Sequence, residues 1–128
     1  EGENIRLDIR LEIPQDTGRV SASDACVLLG NLLENALGAC RYVDINQRFV
    51  RAVSKVQNGT LSVIVENSYD GFVERQGGQY ISRKSGGIGL SSVGAIAEKY
   101  NGLMKIEPGE STWKTSVLVD MEGRLGGG

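Results

Sequence analysis

Two asparagines stand one turn apart in the middle of a predicted helix. Asn31 and Asn35 project side by side, because residues at i and i+4 are neighbours on a helix surface. Asparagine is a mediocre helix former, so a pair of them inside a helix needs a reason. Their amide oxygens could coordinate a hard cation such as Mg²⁺, which prefers oxygen ligands and keeps several waters. The alternative is an ordinary solvated polar face.

A glycine-rich segment, residues 85–92, leads into a second predicted helix. Gly87 and Gly89 would let the backbone approach a ligand closely. The free N–H groups and the dipole of a helix start favour phosphate, and Lys84 just upstream could add positive charge. The alternative is a flexible hinge.

A third polar position, Asn67, falls where a strand-like run ends. A polar group at the end of a strand can read the edge of a nucleobase if a pocket lies beside it. Alone, such a residue more often belongs to a turn. Each of these three signals is weak by itself, and their value depends on the elements that carry them.

The hydrophobic periodicity predicts an α+β domain of two layers. A mostly antiparallel mixed sheet would have helices on one face, which is a two-layer α/β sandwich. The turn at Asn58-Gly59 is a strong hairpin signal, and Asn101-Gly102 should end the second helix. The predicted elements are strand 4–13, helix 21–43, strands 49–56 and 61–65, a polar loop over 68–87, helix 89–100, and strands 103–107 and 113–121.

The same patterns predict which side chains are buried. The first strand alternates apolar and charged residues, so it should be half-buried. Both cysteines, Cys26 and Cys40, should be small buried side chains, because their spacing along one helix is too long for a disulfide. The core-facing stripe of the first helix should contain Ala22, Cys26, Leu29, Leu33, Ala36 and Cys40, with Asp24, Asn31, Asn35, Gly38 and Tyr42 opposite.

Composition excludes several classes of function. The chain has 128 residues and a net charge of −2 with both signs interspersed, whereas a nucleic-acid binder would normally show a basic patch. It contains no histidine, which rules out histidine metal sites and Ser–His or Cys–His catalysis. No signal peptide or membrane-spanning apolar run is present.

Taken together and in this order, the motifs resemble the GHKL ATPases (gyrase, Hsp90, histidine kinase, MutL). The likeness runs from about Asp24 to Val119 and is closest to the catalytic domains of Agr-type, peptide-sensing histidine kinases. Residues 28–37 stand where the family has its N-box, and residues 85–102 match its G-x-G-L box with the helix that follows.

The resemblance implies a role for each matching residue. Asn35 and Asn31 fall on the Mg²⁺-binding asparagine of the N-box and its partner, and Glu34 is a candidate to orient the attacking group. Asn67 falls where most members have an aspartate that binds the adenine amino group. The remaining nucleotide contacts fall on Lys84, Gly87, Gly89, Leu90, Ser91 and Ser111.

The implied activity is ATP-dependent phosphorylation of a histidine. Mg-ATP would bind under a lid formed by residues 68–88 in a single domain of residues 1–125, with 126–128 as a flexible tail. The acceptor histidine would lie on an upstream dimerisation domain, since this chain has none, and a response regulator would follow. The domain would be the cytoplasmic part of a membrane-anchored sensor kinase, without direct membrane contact of its own.

The usual D-x-G-x-G box is replaced by Asn67-Ser68-Tyr69-Asp70-Gly71, a form typical of the Agr-type branch. This departure leaves three alternatives: a nucleotide-responsive interaction module without phosphotransfer, a serine-directed kinase of the anti-sigma type, and a structural domain without a ligand. Phosphohistidine formation with the upstream domain separates the first alternative from a kinase, and acid-stable phosphoprotein indicates the second.

Overall fold

A computed structural model describes residues 5–12, 14, 17–72, 74–76, 79–81 and 88–122. The order of the predicted strands and helices is confirmed, with a short hairpin added between them. The elements are β1 Arg6–Arg10, α1 Ala22–Cys40, a 3-10 turn at Ile45–Gln47, β2 Phe49–Gln57, β3 Thr60–Ser68, β4 Glu74–Gln76, β5 Gln79–Ile81, α2 Ile88–Lys99, β6 Leu103–Pro108 and β7 Thr112–Asp120.

Five strands form one mixed sheet in the order β1-β2-β3-β7-β6. Strands β1 and β2 are parallel, whereas the other three neighbouring pairs are antiparallel. Helix α1 packs on β2 and β3, and α2 packs on β6, on β7 and on α1. The core lies between the sheet and this helix layer, so the predicted two-layer α+β architecture is confirmed.

The predicted turns are confirmed by backbone geometry. Asn58 and Gly59 have φ values of 52° and 76°, as expected for a type I′ turn between antiparallel strands. Asn101 has a φ of 58°, and the Gly102 N–H donates to the Ala97 carbonyl at 2.7 Å. This bond closes the end of α2, as the Asn-Gly pair predicts.

The predicted buried stripe of α1 is confirmed at Ala36 and Cys40 and is wrong at its other four positions. The buried residues are Leu28, Leu32, Asn35, Ala36, Gly38 and Cys40, while Ala22 and Cys26 are exposed and Leu29 and Leu33 are only partly buried. Because α1 also packs against α2, its buried arc is rotated toward that helix and includes Asn35 and Gly38.

The predicted half-burial of the first strand is also wrong. All residues of β1 are exposed, including Leu7 and Ile9. Leu7 and Ile9 are in register with Val50 and Ala52 of β2, which are buried, so all four side chains point to the helix side of the sheet. The helix layer extends only to β2, and nothing in the described residues covers β1.

The predicted loop over 68–87 contains a two-stranded hairpin, β4 and β5. These strands are short and follow no core period, which explains why hydrophobic patterning did not indicate them. Residues 73, 77–78 and 82–87 of the predicted lid lie outside the described residues, as does the predicted tail at 126–128.

An ionic cluster joins the start of α1 to the end of α2. Ser21 caps α1 by accepting a hydrogen bond from the Asp24 amide, and the Asp24 carboxylate accepts from the Tyr100 hydroxyl and from Lys99 Nζ. The bond from Tyr100, and after it the bond from Lys99, lowers the pKa of the Asp24 carboxyl below its ordinary value. Asp24 in turn raises the pKa of Lys99.

This cluster predicts an acid-sensitive contribution to stability. We expect wild type to be more stable than Asp24→Asn near neutral pH. The difference should shrink as the pH falls below the ordinary carboxyl value of 3.8, because the unfolded chain binds a proton there before the folded chain does. Urea unfolding of both proteins between about pH 7 and pH 3 measures this. Asp44→Asn, an exposed change outside the cluster, is the control, and a constant difference across the range would contradict the prediction.

Neither helix of the described part has the length and hydropathy needed to cross a bilayer. Both cysteines are free thiols. Cys40 is buried as predicted, whereas Cys26 is exposed.

Candidate functional site

The side chain of Asn35 is buried without a matching hydrogen bond. It is 4% exposed, and within the described residues no donor reaches its Oδ1. An unpaired buried carbonyl costs about 1–3 kcal/mol, so such a group in a folded domain calls for an external partner. Asn31, one turn earlier, is partly buried, and Glu34 between them is exposed.

A narrow pocket opens beside Asn35. It lies between the second half of α1, the segment that follows β3 and the start of β7. Tyr42 and Phe72 stand at its rim, each a little under half exposed. Among the residues that the structure describes, the lining consists of Asn35, Ala39, Tyr42, Tyr69, Asp70, Phe72 and Trp113.

Two aromatic side chains form the inner wall of the pocket. The rings of Tyr69 and Trp113 meet edge to face, with their centroids 5.4 Å apart. Trp113 Nε1 donates to Thr115 Oγ1 at 3.0 Å, and the Tyr69 hydroxyl donates to the Gly109 carbonyl. Burial, and after it the nearby Asp70, raises the pKa of Tyr69, so the hydroxyl stays protonated. The polar atoms of this wall are therefore satisfied, and it presents apolar ring surface.

Asn67 is held in one amide orientation. It is buried in β3, in register with Trp113 and on the same side of the sheet. Its Nδ2 donates to the Ser68 carbonyl at 2.9 Å. Because a carbonyl only accepts, turning the amide over would place two oxygens together. Asn67 is thus left with Oδ1 as a hydrogen-bond acceptor, the polarity needed to receive an amino group.

The end of α1 is fastened to the sheet just behind the pocket. Cys40 Sγ lies 3.4 Å from both the Phe49 carbonyl and Ser68 Oγ, and Ser68 Oγ accepts from the Phe49 amide at 3.0 Å. These contacts join α1, β2 and β3 at one point. They hold the end of α1, which carries Asn35, against the strands that carry Phe49 and Ser68.

The glycine-rich motif is described only in part. Gly89, Leu90 and Ser91 form the start of α2; Leu90 is buried in the core and Ser91 is exposed. Lys84 and Gly87 lie outside the described residues. Helix α2 packs against α1, and the end of α2 contacts Asp24 at the start of α1.

Ser111 is not among the residues that line the pocket. It is exposed in the turn before β7, and its carbonyl accepts from the Tyr69 amide at 3.1 Å. Its contact with the site is therefore indirect, through the position of Tyr69.

Six lining residues were not predicted as site residues: Ala39, Tyr42, Tyr69, Asp70, Phe72 and Trp113. Ala39 and Tyr42 follow Asn35 at helical spacing and could have been found by extending its face past the end of α1. The others come from loops and a distant strand, whose approach to α1 depends on the tertiary fold.

The described residues contain no group of three or more His, Cys, Asp or Glu side chains able to hold a metal ion. A cation at Asn35 that takes most of its oxygens from water and from a ligand would not need such a group. Mg²⁺ often binds in this way, with one or two protein ligands and substrate phosphates.

The sequence matches the family model described as the GHKL domain over residues 20–120. The chain belongs to the GHKL family. A comparison with curated protein sequences finds no match. The Agr-type branch of the GHKL proteins, which the motifs resemble, is not identified by these comparisons.

Solved structures of histidine kinases share the fold of this GHKL domain. The histidine kinase domain of a blue-light activated kinase from Erythrobacter litoralis matches with a TM-score of 0.70 and 19% identity over 94% of this chain and 54% of its own. The catalytic domain of histidine kinase ThkA matches with a TM-score of 0.70 and 20% identity, over 94% of this chain and 82% of its own. A Burkholderia phymatum histidine kinase matches with a TM-score of 0.72 and 13% identity, over 94% of this chain and 61% of its own. At these identities the likeness establishes the fold, and the chain spans about half the length of the first of these proteins.

Proposed function

We propose that this GHKL domain is the ATP-binding catalytic domain of a sensor histidine kinase, closest to the Agr-type branch. It would bind Mg-ATP and transfer the γ-phosphoryl group to a histidine on an upstream dimerisation domain, from which a response regulator would receive it. The domain would act at the cytoplasmic side of a membrane-anchored kinase.

The unpaired, buried Oδ1 of Asn35 is the observation that carries this proposal. It lies in the wall of a pocket that four aromatic residues, Ala39 and Asp70 also line. A hard cation satisfies a carbonyl oxygen of this kind, and bound Mg²⁺ would neutralise charge on the phosphates. The donor set thus fits a magnesium nucleotide.

The other residues would bind and orient the nucleotide. Asn67 Oδ1 would accept from the adenine amino group, which guanine lacks at that position. Tyr42 and Phe72 are placed to cover the base, and the N-terminus of α2 at Gly89 would hold phosphate. Asn31 would act with Asn35, and residues 68–88 would close over the nucleotide.

Phosphoryl transfer depends mainly on positioning and on stabilisation of charge, so no nucleophile is needed from this chain. Glu34 is exposed and outside the pocket lining. Any role it has would concern the incoming histidine rather than the nucleotide.

Titration with a non-hydrolysable ATP analogue, with and without Mg²⁺, tests the proposal by calorimetry and amide NMR. We expect Mg-dependent saturation with shifts at Asn35, Asn67 and Gly89 to Ser91, and weaker binding of the GTP analogue. Absence of binding at millimolar concentrations of the ATP analogue would contradict the proposal.

The replacement of the D-x-G-x-G box by Asn67-Ser68-Tyr69-Asp70-Gly71 favours one second candidate, a nucleotide-responsive interaction module without phosphotransfer. Incubation with the upstream domain and labelled ATP separates the two. Acid-labile phosphoprotein supports the kinase. Saturable binding without phosphohistidine supports the module, and acid-stable label would indicate a serine-directed kinase instead.

A further inference from the structure

The outer edge of β1 is a free strand edge. The Arg6 amide donates to the Arg48 carbonyl of the chain leading into β2 at 3.1 Å, and the Glu12 amide donates to Ser54 Oγ of β2. Backbone groups alternate in direction along a strand. The amides and carbonyls of Leu7, Ile9 and Leu11 therefore point away from the sheet, and in the part of the chain that the structure describes no strand pairs with them.

Three large apolar side chains along this edge are exposed to solvent. Leu7 is 59% exposed, Ile9 43% and Leu11 37%. They lie on the helix side of the sheet, beyond the last helix. A long exposed edge strand with a row of apolar side chains is normally protected or paired.

The sequence of β1 is self-complementary about Ile9. When two copies run antiparallel with Ile9 opposite Ile9, Leu7 faces Leu11, Asp8 faces Arg10, and Arg6 faces Glu12. Every cross-strand pair is then either apolar with apolar or positive with negative. Pairs of both kinds stabilise an antiparallel sheet, whereas like charges directly opposite each other destabilise it.

We propose that two copies of this chain pair through β1 in this register, with the two-fold axis at Ile9. Two five-stranded sheets then form one continuous sheet. Ile9 with Ile9, and Leu7 with Leu11, are the pairs that exchange backbone hydrogen bonds, because these are the residues whose amides and carbonyls point outward.

Neighbouring registers are unfavourable. A shift that places the axis at Asp8 sets two aspartates opposite each other, with Arg6 facing Arg10. A shift to Arg10 sets two arginines opposite each other, with Asp8 facing Glu12. A slip by an odd number of residues would put apolar and charged side chains on the same face.

The helix layers also fit this arrangement. The two-fold axis stands perpendicular to the sheet, so both helix layers lie on the same side. The flank of α1 that faces away from α2 carries Leu29 and Leu33, which are partly buried, and the exposed Leu37. The two flanks would face each other across the exposed apolar row of β1 and reduce its contact with water.

The opposite edge of the sheet is less suited to such pairing. Strand β6 ends at Pro108. Proline has no N–H to donate and commonly prevents further strand pairing at exposed edges.

Charge reversal on the full chain tests the proposal by sedimentation equilibrium. Wild type should show a monomer–dimer equilibrium. Asp8→Arg and Arg10→Asp should each weaken dimerisation about tenfold or more, because each places like charges opposite each other at two symmetric positions. An equimolar mixture of the two variants should form a heterodimer, because two arginines on one copy then face two aspartates on the other.

Lys105→Glu, a charge reversal on the other edge strand, is the matched control and should dimerise as wild type does. Circular dichroism checks that each variant is folded. A wild-type chain that stays monomeric at about 1 mM would overturn the proposal. So would a dimer that both β1 variants form unchanged, or one that Lys105→Glu alone disrupts.

Discussion

Replacing Asn35 with alanine should abolish Mg-dependent nucleotide binding while leaving the unliganded domain as stable as wild type or more so. Loss of a residue that only hydrogen-bonds to a metal ligand weakens metal affinity about 10- to 100-fold. We therefore expect the affinity for the magnesium nucleotide to fall by at least about 100-fold when the ligand itself is lost. Removal of a buried carbonyl without a hydrogen-bond partner relieves a cost of about 1–3 kcal/mol, which offsets the packing lost. Thermal melts with and without Mg²⁺ and the ATP analogue measure both effects.

A ligand present at a hundred times its Kd stabilises a folded protein by about 2.7 kcal/mol, so wild type should show a clear rise in Tm that Asn35→Ala lacks. Asn46→Ala, which changes an exposed asparagine in the 3-10 turn, is the matched control. A ligand-induced rise in Asn35→Ala equal to that of wild type would remove Asn35 from the site. A variant that no longer folds would show that the amide is structural.

Gly102→Ala should destabilise the domain by about 3 kcal/mol, the upper range for overpacking. A Cβ at this position would lie 1.7 Å from the Leu118 carbonyl oxygen and 2.6 Å from its carbon. These are backbone atoms of β7, so the end of α2 or the β6–β7 pair has to move. In a domain of this size the expected fall in Tm is about 10 °C.

Gly30→Ala is the matched control for that change, since it makes the same substitution on α1, where a Cβ meets no atom within 4 Å. There it should raise stability by about 0.5–1 kcal/mol, because glycine is a poor helix former. Urea unfolding of the two variants should therefore give changes of opposite sign. Equal changes would mean that the close approach at Gly102 is relieved at little cost.

The strands and helices could be predicted wherever a local signal was sufficient. The Asn58-Gly59 turn and the Asn101-Gly102 stop each depend on a few adjacent residues, and both are confirmed. Burial depends on which elements become neighbours. The alternation of β1 correctly predicted a strand with its apolar side chains on one face, but that face is exposed. The burial was wrong because the helix layer ends over β2, which no local pattern in β1 reveals.

The candidate site shows the same division. Asn67 is buried in β3 and is not among the described residues that line the pocket, so its predicted role stays a prediction. Asn35 lines the pocket, but the periodicity put it on the face of α1 opposite the core, and it is buried. The reason is the contact between α1 and α2, which no periodicity within α1 reveals. Phe72 and Trp113 reach the pocket from segments far from α1 in the sequence, so no spacing rule could have grouped them with Asn35.

The parallel pairing of β1 also sets an order for assembly of the domain. The hairpins β2–β3 and β6–β7 close through short turns, whereas Arg6 must find Phe49 across the whole of α1, which carries a larger loop-closure entropy. Strand β1 can join only a sheet that already contains β2, whereas β3 has to find β7 over a comparable distance along the chain. The edge proposed to receive a second copy is therefore present only after β1 has joined β2, and a chain with β1 detached would lack the strand that its partner needs.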